Sequence, residues 1–325
     1  MSENKHANIF DDDVADTRAF EKQFYQLDYL LADHNFKSEK ALQKFVDEAF
    51  LHQEKWDELV ANHTKTLEEQ AQELLYDAFA CEDTDEKVQM AKDAIKLFVN
   101  SPDAYNIMAE EIAETPKESL KYYKKGVEVG RYSIHHAHFE NERGMFWEIT
   151  KARPFMRSLV GQAIALFELG RGKDGIATAF EAIALDTSDH QGIRYELFLN
   201  LLIDNEISEA EYLLKKFPKE DDFFWLHCKA YLELLKKSSK EKVDKAIKTA
   251  IKENPFVAAI MLSNAGDASV KKYIDESRED VNNAYMFISN FLQVIEKNTA
   301  SGMSFLTSIS EHKNDVLLQL KKRMG

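Results

Sequence analysis

Short amphipathic helices, separated by compact helix-stop and helix-start signals, recur along most of this 325-residue chain. The clearest pair lies at about residues 155–188, where Leu159, Ala163 and Leu166 share one helical face and Gly170 follows as a stop. A second helix with small residues at positions 175, 179 and 182 comes next, which allows two helix backbones to approach closely. Such a pair cannot bury its apolar face alone and must stack on neighbouring pairs. The pattern predicts an all-α fold of stacked helix pairs.

Helix-start signals with a known mechanism mark the boundaries of these helices. Pro102 follows Ser101, and a proline at the first helical position lacks only an N–H that has no partner there. Thr115, Ser208 and Ser238 are each followed three residues later by a glutamate, which is the spacing of a capping box. The chain has only 11 Gly and 5 Pro, whereas the many turns of an all-β fold require more of both.

The sequence divides into four predicted regions. Residues 1–14 are expected to form a loose acidic tail, and residues 15–84 an N-terminal helical region. The helix-pair array is predicted over 85–262, and residues 263–325 are expected to form capping helices that close the array with a polar face. The first helix of the N-terminal region has an apolar face made of Phe20, Phe24, Leu27 and Leu31.

The clearest helix pair resembles a tetratricopeptide repeat (TPR), and its sequence is LVGQAIALFELGRGKDGIATAFEAIALDTSD. The small residues, the turn glycine and the acidic closing residue of that pattern fall at Ala163, Gly170, Ala179, Ala182 and Asp186. The sequence departs from the pattern at Gly175, where alanine is usual, and at Thr187, where proline is usual. Weaker copies flank this pair, so the resemblance implies an α-solenoid of TPR-like repeats.

A narrower resemblance covers about residues 150–262. The strings RPFM at Arg153–Met156 and NPFV at Asn254–Val257 are similar to the TPR-like segment of the suppression-of-tumorigenicity-7 family and its bacterial relatives. The function of that family is poorly defined, so the resemblance implies a fold and no mechanism.

Charge and cysteine content restrict the partners and the compartment. The formal net charge is −15, from 57 acidic and 42 basic residues. Nucleic-acid binding and anionic membrane surfaces both need clustered basic residues, so neither is expected, and a basic partner is favoured. The two cysteines are far apart, and the polar N-terminus has no signal-peptide pattern, which predicts a cytoplasmic protein.

Few sequence patterns suggest chemistry. His135, His136 and His138, with Glu140, form a cluster that could bind a metal, but it lacks the spacing of the HExxH zinc motif. We interpret it as a histidine-rich turn and expect no metal and no cofactor. No GxSxG nucleophile motif is present, and neither cysteine has a catalytic signature. The chain is therefore predicted not to be an enzyme.

An aromatic cluster with an arginine lies just before the clearest repeat. It comprises Gly144-Met145-Phe146-Trp147 and Arg153-Pro154-Phe155. Core packing between two helical regions and an exposed anchor point for a partner are both compatible with this composition.

The TPR resemblance implies a peptide-binding groove lined by the first helix of each repeat. The candidate groove residues are Arg157, Gln191, Arg194, Tyr195 and Phe198. Because the groove positions of the clearest repeat are mostly apolar, we expect an apolar or helical segment to bind there. The sequence thus predicts a non-catalytic adaptor or scaffold for another protein, with its oligomeric state left open. A metal-dependent or acid–base enzyme on a helical scaffold is the alternative, because a fold does not fix a function.

Overall fold

The computed structural model describes residues 17–134 and 136–324. Its regular elements are nineteen α-helices and three short 3-10 helices, and this described part of the chain contains no β-strand. The all-α prediction is therefore confirmed. Two compact units are formed by Asp13–Gln191 and Gly192–Gly325, so the array predicted over 85–262 spans the boundary between them. None of the described helices is long and apolar enough to cross a membrane.

The unit of residues 13–191, here called the N-terminal unit, begins with a 3-10 helix at Thr17–Phe20. Its α-helices are α1 (Glu21–Ala32), α2 (Glu39–Leu51), α3 (Gln53–Asn62), α4 (Leu67–Ala80), α5 (Thr84–Leu97), α6 (Pro102–Glu111), α7 (Pro116–Ser133), α8 (His136–Asn141), α9 (Arg153–Glu168) and α10 (Gly172–Leu185). Two 3-10 turns, Phe146–Glu148 and Thr150–Ala152, connect α8 to α9. Consecutive helices pack in pairs, α4 on α5, α6 on α7 and α9 on α10, and α7 also packs against α9.

The helix pair predicted at 155–188 is confirmed as α9 and α10. Gly170 ends the first helix in the left-handed conformation, with φ +67°, which a glycine adopts without steric cost. The N–H of Arg171 donates to the carbonyl oxygen of Leu166 at 2.9 Å and closes the helix end. The local stop signal therefore predicted the turn correctly.

Two glycines of α7 bring it close to α9. A Cβ atom added at Gly130 would lie 2.8 Å from Cβ of Phe155, and one at Gly126 would lie 2.3 Å from Oγ of Ser158. Both distances are under 3.0 Å, which real Cβ contacts essentially never show. The absence of side chains at these two positions therefore sets the spacing of the two helices.

The unit of residues 192–325, here called the C-terminal unit, contains the other nine described α-helices. They are α11 (Ile193–Ile203), α12 (Ile207–Lys216), α13 (Phe223–Leu235), α14 (Lys240–Glu253), α15 (Pro255–Asn264), α16 (Ala268–Lys271), α17 (Glu279–Lys297), α18 (Thr299–Glu311) and α19 (Lys313–Arg323). Helix α13 packs on α14, α11 contacts α12, α13 and α17, and α15 packs on α17. Aromatic rings fill its core, where Phe291 stacks on Phe287 with 5.0 Å between ring centroids.

The helix-start predictions were only partly right. Thr115 caps α7, because its Oγ1 accepts the N–H of Glu118 at 3.3 Å, and Pro102 begins α6. The capping boxes predicted at Ser208 and Ser238 are wrong. Ser208 lies inside α12, which begins at Ile207. The hydroxyl of Ser238 instead donates to the carboxylate of Glu233 at 2.6 Å, and Ser239 stands at the N-cap of α14.

Candidate protein-interaction surfaces

Three of the five residues predicted to line a groove are buried. Arg157, Tyr195 and Phe198 are at most 9% exposed, so they offer a partner little surface in the folded chain. Gln191 and Arg194 are partly buried. The first three side chains are therefore mostly covered by other parts of the folded chain, and the structure shows what each one contacts.

Arg157 is the centre of a buried ion network in the N-terminal unit. Its Nη2 donates to Oδ2 of Asp103 at 2.6 Å and its Nη1 to Oε2 of Glu21 at 2.9 Å. Burial alone would raise the pKa of Asp103, but the charge of Arg157 and the hydrogen bonds from Arg157, Asn106 and Gln72 together outweigh burial and lower that pKa below its usual value. Asp103 also accepts from Gln72 and Asn106. Arg157 thus joins α1, α6 and α9. Its Nε, Nη1 and Nη2 atoms already donate to Asp103 and Glu21, so they are engaged within the fold rather than with a peptide carboxylate.

Tyr195 and Phe198 belong to the aromatic core of the C-terminal unit. The ring of Trp225 lies 4.8 Å from that of Phe198 and 5.8 Å from that of Tyr195, measured between centroids. The Tyr195 hydroxyl lies 2.6 Å from Oδ2 of Asp222, and burial together with this hydrogen bond raises its pKa. Arg194 stacks on the Tyr195 ring and forms an ion pair with Glu220. These contacts stabilise the fold and do not form a groove.

The histidine cluster falls largely outside the described residues. His135 and the side chains of His136 and His138 lie outside the described residues. Among residues 17–134 and 136–324, no group of three or more His, Cys, Asp or Glu side chains is arranged to hold a metal ion.

The aromatic cluster before α9 is mainly core. Phe146 and Phe155 are fully buried, with their ring centroids 6.4 Å apart. Arg153 donates from Nε to the carbonyl oxygen of Trp147 at 2.7 Å and lies over its ring. Met145 is the exposed member of this cluster. Of the two interpretations left open by the sequence, core packing therefore accounts for Phe146 and Phe155.

An exposed apolar helix face in the N-terminal unit belongs to α1 and the residue before it. Phe20 and Phe24 are 68% and 51% exposed, and Leu27 and Leu31 are partly exposed on the same face. At 100° per residue, these positions fall within a narrow sector of the helix. We call this set, Phe20, Phe24, Leu27 and Leu31, the α1 stripe. Its spacing of four, three and four residues is that of a seam that packs against a second helix.

The opposite face of α1 is fixed by buried polar contacts. The hydroxyl of Tyr29 donates to Oε1 of Glu73 at 2.7 Å, and Nε2 of Gln26 donates to the same oxygen at 3.2 Å. Nε1 of Trp56 then donates to Oε1 of Gln26 at 3.1 Å. These hydrogen bonds determine which side of α1 is buried, and they leave the α1 stripe facing outward.

The sequence placed the four stripe residues on one helix face, and the structure confirms that placement. What the sequence did not show was that the tyrosine and glutamine side chains opposite would be the buried set. The spacing of Tyr25 and Tyr29, about one helical turn, indicated that they share a face. It did not indicate that Tyr29 would bond to Glu73 on α4, or Gln26 to Trp56 on α3. The chain matches no protein-family model and no curated protein sequence.

Proposed function

We propose that this chain is a non-catalytic adaptor or scaffold that binds an apolar or helical segment of another protein. The observation that supports this proposal is the α1 stripe, in which two phenylalanines are at least half exposed on a helix anchored through its other face. Contiguous exposed apolar surface is typical of interaction sites, and phenylalanine is enriched in them. A partner helix could bury the stripe through side chains three and four positions apart.

The proposal includes the TPR-like architecture expected from the sequence. Its support is the succession of helices joined by short turns, such as α9 with α10 and α13 with α14. Helical repeats of this kind commonly present extended binding surfaces. A cytoplasmic location remains part of the proposal, and both cysteines, Cys81 and Cys228, are free thiols, as a reducing compartment would keep them.

Site-specific photo-crosslinking tests the proposal. A photo-reactive phenylalanine analogue is placed at position 24 in the cells that express the protein, and at position 132 as a control. Tyr132 is 81% exposed in the same unit but does not belong to the stripe. We expect a protein that crosslinks from position 24 and not from position 132. The crosslinked protein is then purified and its affinity for the full chain measured by calorimetry.

Two matched double variants decide whether the stripe is the binding site. F20S/F24S should weaken binding of the purified partner at least about tenfold, because exposed aromatic anchors supply much of the free energy of such contacts. V99S/Y132S removes two other exposed apolar side chains from the same unit and should leave affinity within about twofold. Equal affinity of F20S/F24S and the wild type, with unchanged circular dichroism, would contradict the proposal.

A further inference from the structure

A groove with an aliphatic base runs between α13 and α14 in the C-terminal unit. The half-buried Leu226 and Ala246 line its base, and the exposed Lys229, Lys242 and Lys245 line its rim. Its volume is about 290 Å³. The groove is therefore large enough to hold side chains of a ligand.

The three rim lysines have no ion-pair partner among the residues that the structure describes. No carboxylate oxygen of the described chain lies within 4.0 Å of the Nζ atom of Lys229, Lys242 or Lys245. Glu233 also lines the groove and attracts Lys242 electrostatically, but its carboxylate already accepts from Lys236 at 2.9 Å and from the Ser238 hydroxyl at 2.6 Å. The groove therefore carries an excess of positive charge around an apolar base, with three lysines against one glutamate.

This basic character continues along α14. Lys245, Lys248 and Lys252 are spaced by three and four residues, so they lie on one helix face, and all three line an adjoining depression. Glu241 and Asp244 line it too, and Nζ of Lys248 lies 3.8 Å from Oδ2 of Asp315. Asp244 lies 3.1 Å from Nε2 of His312, which occupies one of its oxygens. A lysine-rich surface is thus built into a chain whose formal net charge is −15.

We propose that this groove binds an acidic segment of another protein that carries an apolar anchor residue. The anchor would pack on Leu226 and Ala246, and carboxylates on either side would pair with Lys229, Lys242 and Lys245. Charge complementarity and an apolar base together specify this chemistry, because none of the rim lysines has an ion pair within the described residues and the partner's carboxylates would supply one. This surface lies in the C-terminal unit, whereas the α1 stripe lies in the N-terminal unit.

Other anionic ligands fit the groove less well. Single-stranded nucleic acid is usually held by aromatic side chains that stack on bases, and the described residues that line the groove include none. The large negative net charge of the chain also repels a polyanion as a whole. A short acidic segment with an apolar residue uses both parts of the groove.

Fluorescence anisotropy with the full-length chain tests this proposal. The probe is a labelled peptide of about 14 residues, with leucines along one helical face and glutamates at the other positions. Two variant peptides replace the leucines with serine or the glutamates with lysine. The protein variants are K229E/K242E/K245E and the matched control K219E/K297E/K322E, which reverses three exposed lysines elsewhere in the same unit.

We expect the acidic leucine peptide to bind, and its affinity to fall as salt is added. K229E/K242E/K245E should lose at least about tenfold in affinity, and the control variant less than about threefold. The serine peptide should bind more weakly, and the lysine peptide should not bind. Failure of the peptide to bind at low salt, or equal loss in the two triple variants, would overturn the proposal.

Two further outcomes would assign the groove to a different occupant and so overturn the proposal. The first is an oligonucleotide that binds more tightly than the peptide with the same dependence on the three lysines. The second is a chain lacking residues 1–16 that binds the peptide at least about tenfold more tightly than the full chain. That result would assign the groove to the chain's own acidic run, Asp11-Asp12-Asp13.

Discussion

Replacing His227 with phenylalanine should make the C-terminal unit less sensitive to acid. His227, on α13, is 2% exposed, and its Nδ1 donates to the carbonyl oxygen of Phe223 at 2.6 Å. Burial lowers the pKa of this imidazole to about 4, although the hydrogen bond to Phe223 acts in the opposite direction. The folded chain therefore keeps His227 neutral at pH values where an unfolded chain would protonate it.

The sign and size of the effect follow from this difference in pKa. An unperturbed histidine has a pKa of about 6.5. Between about pH 6.5 and pH 4 the unfolded state binds a proton that the folded state does not, so the free energy of unfolding falls as the pH falls. The stability associated with the neutral, buried His227 imidazole is fully present above about pH 6.5. For these two pKa values, the loss between pH 7 and pH 5 is about 2 kcal/mol.

Urea unfolding at pH 7, 6 and 5 measures the effect, with tryptophan fluorescence and far-ultraviolet circular dichroism as probes. H227F keeps a ring of similar size against Phe287, whose centroid lies 5.4 Å from that of the imidazole. The free energy of unfolding of H227F minus that of the wild type should be about 2 kcal/mol larger at pH 5 than at pH 7, since the variant has no imidazole at position 227. H52Q replaces an exposed histidine, and its free energy of unfolding should change with pH as that of the wild type does.

Acidic residues change the free energy of unfolding with pH equally in the wild type and in H227F. The difference in free energy between these two proteins therefore reports on the His227 imidazole alone. A parallel loss of stability by both between pH 7 and pH 5 would refute the reasoning. It would mean that the folded chain accepts a proton on His227 without cost.

Two further substitutions test the packing of the N-terminal unit. R157M should lower the free energy of unfolding by about 3–5 kcal/mol in urea titrations, because it leaves Asp103 buried without its counter-charge. The double variant R157M/D103L should recover part of that loss. No recovery would contradict the view that Arg157 stabilises the unit by neutralising Asp103. G130A should lower the melting temperature and cost about 1–3 kcal/mol, since its Cβ would meet Phe155; a melting temperature equal to that of the wild type would show that α7 and α9 separate without cost.

Local signals predicted the helix pairs well. Gly170 ends α9 because a single residue in the left-handed conformation is sufficient, and that requirement is visible in the sequence alone. The wrong capping boxes show the limit of the same approach. Ser238 has the correct spacing to Glu241, yet its hydroxyl is taken by Glu233 at the end of the preceding helix. With the Ser238 hydroxyl bound to Glu233, the N-cap position of α14 is occupied by Ser239 instead.

Burial of the predicted groove residues could not be read from the sequence. Tyr195 and Phe198 lie on a short apolar helix, and periodicity does not tell which neighbour will cover them. Trp225, about thirty positions later in the chain, provides that cover. Arg157 was predicted to line the groove because of its position in the first helix of the TPR-like repeat. Its partners, Glu21 and Asp103, are 136 and 54 residues away in sequence.

The separation of Glu21 from Arg157 has a consequence during synthesis of the chain. Glu21 and Asp103 leave the ribosome well before Arg157, the residue that neutralises both in the folded unit. At roughly 5–20 residues per second, the 136 positions between Glu21 and Arg157 take on the order of ten seconds to translate. Until then, closing α1 against α6 would bury two carboxylates with no cation between them. The nascent N-terminal unit should therefore stay open until α9 has emerged.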